Sequence, residues 1–80
     1  MNKAKWVWSR QNVGWIGKSA KHVAFIWCGC NGKEWWWQVY HRIDGKDAHL
    51  DYFDAPLLAG DSNAVNWQQA RSLSEKAVLS

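Results

Sequence analysis

The clearest pattern along the chain is a strict alternation of side-chain character between residues 34 and 43. One set of alternating positions is mainly apolar and consists of Trp35, Trp37, Val39, His41 and Ile43. The intervening set consists of Trp36, Gln38, Tyr40 and Arg42. A period of two is typical of a strand with one buried face, so this segment is predicted to form a β-strand.

Shorter segments predict further strands. Residues 22–28 alternate in the same way, and residues 13–16 form a short strand candidate. Residues 5–9 either extend that short strand or pair separately. Residues 49–53 are a weaker candidate for a fourth strand, which Pro56 would end because proline has no N–H to donate to a ladder.

Gly-Lys pairs separate these segments. They begin at positions 17, 32 and 45, at intervals of 15 and 13 residues. This spacing is typical of a β-meander in which each unit is one strand and one turn. Two of the pairs lie in the dipeptide contexts Asn31-Gly32 and Asp44-Gly45. Both dipeptides tolerate positive φ and therefore predict type I′ hairpin turns.

The pattern becomes helical towards the end of the chain. Residues 60–63 read Gly-Asp-Ser-Asn, a loop rich in residues that cap helices. From residue 64 to about residue 79, apolar and small residues recur at helical spacing. This face consists of Trp67, Ala70, Leu73, Ser74, Ala77 and Val78. Its small members allow the helix to approach a sheet closely.

Together these elements predict an α+β fold. We expect an antiparallel three- to four-stranded meander sheet with one C-terminal helix packed on one face. The 80 residues allow a single domain over residues 1–80, with the sheet at about 5–54 and the helix at about 63–79. Eight tryptophans supply large side chains for so small a core.

Charge is divided unevenly along the chain. The net charge is +3, yet residues 1–33 hold six basic residues and no acid. Residues 44–61 hold five aspartates, with Lys46 as the only base. This distribution predicts a dipolar surface that orients a charged partner. The alternative is ordinary surface charge that segregates without a function.

The hydropathy pattern gives an expected location. The longest apolar run, residues 23–28, is far shorter than the roughly 20 residues that a membrane span needs. The N-terminus lacks the apolar stretch of a secretion signal. We therefore expect a cytoplasmic protein with reduced thiols and no membrane partner.

The alternating segment also supplies a candidate binding face. If the helix covers Trp35 and Trp37, the opposite face presents a row made of Trp36, Gln38, Tyr40 and Arg42. Aromatic and arginine side chains together are suited to a protein partner and equally to the stacking of bases. Two alternatives remain open: the N-terminal segment with its tryptophans Trp6 and Trp8 covers this face, or the orientation is inverted.

Metal and catalytic sites are weakly supported by the residue spacing. Cys28-Gly29-Cys30 has one residue between its cysteines, whereas structural zinc sites favour two to four. We expect structural thiols, or less favourably an oxidisable pair, and neither a metal nor a cofactor.

A phosphate-binding loop ending at Ser19 would need glycine at position 12, which is asparagine. The histidines and aspartates show no local pairing, so no enzymatic activity is expected.

The order of these elements resembles a group of small phage and prophage proteins. The resemblance rests on Gly14-Trp15, the Trp35–Trp37 run before Gln38-Val39, the stretch 58–62, and Trp67 followed by alanines. It covers roughly residues 13–79, and the acidic segment 44–56 and the Cys-Gly-Cys turn depart from it. Some proteins of this size class resemble anti-CRISPR proteins, which are compact and non-catalytic and occlude a surface of a host complex. No motif defines that group, so it supplies an expectation for small phage proteins and not a family match.

Three functions are therefore expected as alternatives. The first is a phage- or prophage-encoded inhibitor that binds a host protein or ribonucleoprotein complex. Its acidic residues, among them Asp47, Asp51 and Asp54, would compete for a basic nucleic-acid channel. The second is a single-stranded nucleic-acid-binding protein that uses the aromatic and basic sheet face. The third is a phage structural or assembly protein, with homodimers formed through an open sheet edge.

Overall fold

The computed structural model describes residues 5–29 and 33–79. Within these residues the chain forms five strands, one short 3₁₀ turn and one α-helix. The strands are β1 (Val7–Arg10), β2 (Gly14–Lys18), β3 (His22–Cys28), β4 (Trp35–His41) and β5 (Leu57–Ala64). The 3₁₀ turn is His49–Tyr52 and the helix α1 is Trp67–Ala77. None of the helical segments among the described residues has the length and apolar character needed to cross a membrane.

The predicted α+β meander is confirmed. The strands lie in one sheet in the order β1-β2-β3-β4-β5, and each neighbouring pair is antiparallel. Helix α1 packs on one face of this sheet, as expected. The sheet has five strands among the described residues, compared with the three to four expected. Strand β1 pairs with β2 as a separate strand rather than extending it, and β5 takes the place of the strand expected at residues 49–53.

Strand β5 occupies a segment that the sequence predicts to be a loop before the helix. Its small and polar residues show no alternation, and irregularities interrupt its pairing with β4. Gly60 permits the close approach of the two strands, because an added Cβ would lie 2.9 Å from the Trp37 carbonyl oxygen. The sheet therefore extends to Ala64 rather than to about residue 54. The helix starts later than expected, after the N-cap Asn66, whose side chain accepts a hydrogen bond from the Gln69 amide at 2.8 Å.

The weaker strand prediction for residues 49–53 is wrong, because local hydrogen bonds hold this segment in a 3₁₀ turn. A carboxylate oxygen of Asp51 accepts from the backbone N–H groups of Asp47 and Ala48, at 3.2 and 3.1 Å. Such bonds to the preceding backbone favour a turn over a ladder. Pro56 consequently precedes strand β5 instead of ending a strand.

The two predicted hairpin turns have different outcomes. Asn31-Gly32 lies outside the described residues. At Asp44-Gly45 the Lys46 amide donates to the Ile43 carbonyl at 3.1 Å, and Gly45 has a φ of 81°. Asp44 does not have positive φ, since no described residue other than glycine does, so this turn is not type I′. The turn opens a long connection between β4 and β5, which we call the acidic loop (residues 42–56).

The face of the sheet covered by α1, here called the helix face, carries the larger core. Its buried residues are Ala24, Ile26, Trp37, Val39, Ala64 and Ala70. The helix approaches closely because Ala70 and Ser74 are fully buried, and the Ser74 hydroxyl donates to the Ala70 carbonyl at 2.8 Å. Trp15 stacks on Trp67 with ring centroids 4.2 Å apart.

The N-terminal tryptophans also pack on the helix face. Trp6 and Trp8 lie against its core, and the Trp8 indole donates to Glu75 of α1 at 2.8 Å. Trp8 lies across Gly17, where an added Cβ would be 2.7 Å from the indole ring. The orientation in which Trp35 and Trp37 face the helix is therefore correct. The alternative that Trp6 and Trp8 cover the opposite face is wrong.

Candidate binding surface

The opposite face of the sheet, here called the loop face, is covered by part of the acidic loop. Its buried core consists of Val23, Phe25, Tyr40 and Tyr52. Tyr52 comes from the 3₁₀ turn and is completely buried. Its hydroxyl donates to the Lys46 carbonyl at 3.0 Å and accepts from the Ile43 amide at 2.9 Å. One side chain thus anchors the acidic loop both to the sheet and to its own backbone.

Aromatic rings connect this anchor to the strands. Phe25 of β3 lies 5.6 Å from Tyr52, 6.0 Å from Tyr40 and 4.8 Å from His49, measured between ring centroids. Trp27, further along β3, lies 5.2 Å from the His49 ring. The 3₁₀ turn therefore rests on a layer of aromatic rings, which holds it in one position on the sheet.

The predicted row of exposed side chains on β4 is interrupted. Trp36 is 39% exposed and stacks on Trp27 at 6.1 Å, and Arg42 is exposed. Tyr40, however, is only 6% exposed, so the expectation that it forms part of an open surface is wrong. The physical reason is that Tyr52 covers it, with ring centroids 5.3 Å apart. This burial raises the pKa of the Tyr40 hydroxyl.

Gln38 connects the middle of this row to the loop. Its side-chain oxygen accepts from the Tyr40 hydroxyl at 3.0 Å and lies 2.9 Å from Nε2 of His49. With the amide oxygen in this position, Nε2 must carry the proton, which leaves Nδ1 of His49 as an acceptor. Burial of the His49 ring among its aromatic neighbours lowers its pKa, so the ring is neutral near pH 7.

A cleft opens on the loop face beside the 3₁₀ turn. It has a volume of about 500 Å³ and is open to solvent. Its lining comes from the β1–β2 turn, from β2 and β3, and from the start of the 3₁₀ turn. The lining residues include Gln11, Asn12, Val13, Ile16, Phe25, Trp27, Ala48 and His49. A smaller cleft of about 300 Å³ shares Gln11, Ile16 and Ala48 with the first, so the two form one continuous groove.

The three aspartates proposed for binding have different roles in the fold. Asp47 lines the smaller cleft and forms an ion pair with Lys18 at 3.2 Å. Asp51 holds the 3₁₀ turn through its two backbone contacts. Asp54 is exposed, and among the described residues no group forms a hydrogen bond or ion pair with its carboxylate. A substitution of Asp51 would therefore change the loop itself and cannot serve as a pure binding variant.

Two large apolar side chains project from the acidic loop into solvent. Leu50 is 82% exposed and Phe53 is 84% exposed. Residues three apart in a 3₁₀ turn are eclipsed, which places these two side chains on the same side while Tyr52 points to the sheet. This pair was not predicted from the sequence, because a strand over residues 49–53 would have placed Leu50 on the same face as Tyr52. A helical spacing of three, combined with the aspartate at position 51, is the signal that could have revealed it.

The three histidines and Cys28, which the structure describes, are not gathered into a metal site. His22 and His41 face each other across β3 and β4 with ring centroids 5.3 Å apart, while His49 lies on the opposite face. Cys28 is at the other end of β3, and Cys30 lies outside the described residues. Within the part of the chain that the structure describes, no group of three or more His, Cys, Asp or Glu side chains could hold a metal ion.

In comparisons with protein-family models, with curated proteins and with solved structures, nothing matches this chain.

Proposed function

We propose that this protein is a non-catalytic binding protein whose acidic loop docks onto a basic, partly apolar surface of a protein partner. The observation that carries the proposal is the projecting pair Leu50 and Phe53 on an anchored loop. In biological terms we propose an inhibitor, encoded by a phage or prophage, that binds a host protein or ribonucleoprotein complex in the bacterial cytoplasm. Its size and lack of catalytic motifs are those of the anti-CRISPR class.

The exposure of these two side chains supports docking. A phenylalanine exposed to this extent contributes nothing to the fold, whereas its burial in a partner's pocket would contribute about 1.5–3 kcal/mol. The loop is also held in place before binding, by Tyr52 from below and by Asp51 within the turn. A preorganised loop loses little conformational entropy on binding, which favours affinity.

The charge of the loop supports a basic partner. Between residues 44 and 54 it carries four aspartates and one lysine. Carboxylates around an apolar contact steer the approach of a positively charged surface and disfavour acidic ones. A channel that binds nucleic acid on a host protein has this character, and its occupation would inhibit the host complex.

The test is affinity capture from bacterial lysate with a matched set of variants. The wild-type protein is compared with the double variant Leu50→Ser/Phe53→Ser and with Val65→Ser, which replaces an apolar residue that is 69% exposed and lies outside the groove. We expect a discrete protein species that the wild type and Val65→Ser retain and the double variant loses. The retained amount should fall with added salt. Equal capture by all three proteins would refute the proposal.

A nucleic-acid-binding function is the second candidate, and the observation that favours it is the exposure of Trp36 and Arg42 near opposite ends of β4. The burial of Tyr40 shortens the stacking surface, and the nearby aspartates would repel a polyanion. Titration with single-stranded DNA and RNA at two salt concentrations, followed by tryptophan fluorescence, tests it. Quenching that disappears in Trp36→Leu would favour this function.

A homodimer or assembly role stays a prediction that measurement of molecular mass in solution tests.

A further inference from the structure

The groove on the loop face has a shape and lining that suit one kind of side chain. Its inner wall is formed by Ile16, Phe25 and Trp27, which are apolar. Polar groups lie around it, on Gln11 and Asn12 of the β1–β2 turn and on the neutral ring of His49. An occupant should therefore be long, apolar or planar along its sides, and polar at its tip.

The same molecule shows how its indole rings accept a cation. The guanidinium carbon of Arg10 lies 5.9 Å from the Trp15 ring centroid, and that of Arg71 lies 5.9 Å from the Trp67 ring centroid. A guanidinium over an aromatic ring is held by the electrostatic attraction of the ring face. Trp27 is half-buried in the wall of the groove, and the intramolecular arginine contacts are on the other sheet face.

A carboxylate in the groove can balance the charge of a cationic occupant. Asp47 lines the smaller part of the groove and pairs there with Lys18, which lines it too, so a cation would displace the Lys18 ammonium group. Acceptors are also available at the side-chain oxygens of Gln11 and Asn12 and at Nδ1 of His49. A guanidinium presents five N–H donors and is more weakly hydrated than an ammonium, so arginine matches this environment better than lysine.

We propose that the groove between the β1–β2 turn and the acidic loop is a recognition pocket for an arginine side chain of the basic partner. The inference rests on the proposed function, because the partner that docks on the acidic loop supplies the arginine. The aliphatic part of that side chain packs against Ile16 and Phe25. Its guanidinium reaches Trp27 and the polar rim, and Asp47 provides the compensating negative charge.

Lys18 gives this proposal a specific consequence. Its ammonium group now forms an ion pair with Asp47 at 3.2 Å and therefore competes with an incoming guanidinium for the same carboxylate. Removal of this competitor in Lys18→Gln should strengthen arginine binding by about two- to fivefold, the range expected for a partly exposed ion pair. Asp47→Asn should weaken the binding by a similar factor.

The probe for the experiment is N-acetyl-arginine amide, with its citrulline and lysine counterparts as controls. Citrulline has the same shape as arginine without the charge. Binding is followed by the indole N–H and histidine ring signals in nuclear magnetic resonance spectra. We expect saturable, millimolar binding of the arginine compound that shifts the Trp27 and His49 signals, and at least fivefold weaker effects from both controls. Gln11→Ala/Asn12→Ala should weaken it, whereas Gln68→Ala on the helix should not.

The outcome separates this inference from the proposed function. Equal shifts with all three compounds, or shifts confined to Trp8 and Trp67, would overturn the arginine pocket. Leu50→Ser/Phe53→Ser should bind the arginine compound as the wild type does, because these side chains do not line the groove. Failure of the arginine compound, with partner capture still dependent on Leu50 and Phe53, would leave the docking loop in place and remove only the pocket.

Discussion

The two faces of the sheet are covered in different ways. On the helix face an 11-residue helix and several tryptophans close the core, and the small residues Ala70 and Ser74 allow tight contact. On the loop face, a short turn anchored by Tyr52 covers only part of the strands and leaves a groove beside it. The difference teaches that a helix closes one core completely. A short anchored turn closes the other only in part and leaves Leu50 and Phe53 exposed to solvent.

The largest expected effect comes from two neighbouring tryptophans that point to opposite faces. Trp37 is 7% exposed on the helix face, and its indole donates to Asn63 of β5 at 3.1 Å. Trp37→Ala should lower the free energy of unfolding by about 3–5 kcal/mol, because it leaves a cavity and an unpaired side chain. The matched variant Trp36→Ala should cost about 1 kcal/mol, since Trp36 is on the loop face and partly exposed. Denaturant unfolding followed by circular dichroism measures both, and similar losses would contradict the contrast between the faces.

The next effect concerns the anchor of the acidic loop. Tyr52→Phe removes the hydroxyl that accepts from the Ile43 amide and donates to the Lys46 carbonyl. We expect a loss of about 1–2 kcal/mol in stability, because a backbone donor and a backbone acceptor lose their partner. Amide hydrogen exchange should also become faster in residues 43–55 and remain unchanged in α1. Tyr40→Phe is the control, because its hydroxyl contacts only the Gln38 side chain; an equal effect of both variants would contradict the anchoring role.

A smaller effect is expected from pH, because one histidine on each face has a lowered pKa. Burial lowers the pKa of His49 on the loop face and of His22 on the helix face, and the charges of His41 and Lys21 lower that of His22 further. Below the ordinary value of 6.5 the unfolded chain therefore binds more protons than the folded protein. The free energy of unfolding should therefore fall as the pH falls below 6.5. Above that pH, the contribution of the two histidines to stability should be fully present.

Single variants assign this dependence to the two faces. His22→Gln and His49→Gln should each reduce the slope of stability against pH between about pH 5 and 7, measured by thermal unfolding. His41→Gln should reduce it indirectly, since His41 acts on His22. An unchanged slope in both single variants would show that neither imidazole is linked to folding.

The smallest effect on stability is expected at the projecting side chains. Leu50→Ser and Phe53→Ser should each change the free energy of unfolding by less than about 0.5 kcal/mol, because neither side chain packs on the fold. The same variants should abolish docking to the partner. A large destabilisation would mean that these residues support the loop rather than present a surface to a partner, and unfolding measurements on the capture variants decide this.

The sequence analysis succeeded where one pattern had one physical interpretation. Strand β4 and its two faces could be predicted because Trp37 and Val39 are buried while Trp36 and Gln38, which alternate with them, are not. The prediction failed where the local sequence pattern and the tertiary packing favour different structures. Strand β5 is an edge strand in which two leucines precede small and polar residues, and only its pairing with β4 makes it a strand. The Gly60–Asn63 run fits a capping loop equally well by composition.

The candidate site was only partly predictable for the same reason. Trp36 and Arg42 were predicted to be accessible, and they are. The burial of Tyr40 and the exposure of Leu50 and Phe53 depend on where the acidic loop lies on the sheet. That position is set by contacts between residues far apart along the chain, which no local pattern describes.

By itself, the sequence determined the α+β meander, the two faces of β4 and the division of charge along the chain. Hydrophobic periodicity encodes the first two features, since each residue's preference depends on its near neighbours. Only the tertiary structure decided which face of β4 meets the helix, that β5 joins the sheet, that the acidic loop covers part of the other face and that a groove remains beside it. These features arise because distant residues share one surface, where packing outweighs the weak local preferences of short polar segments.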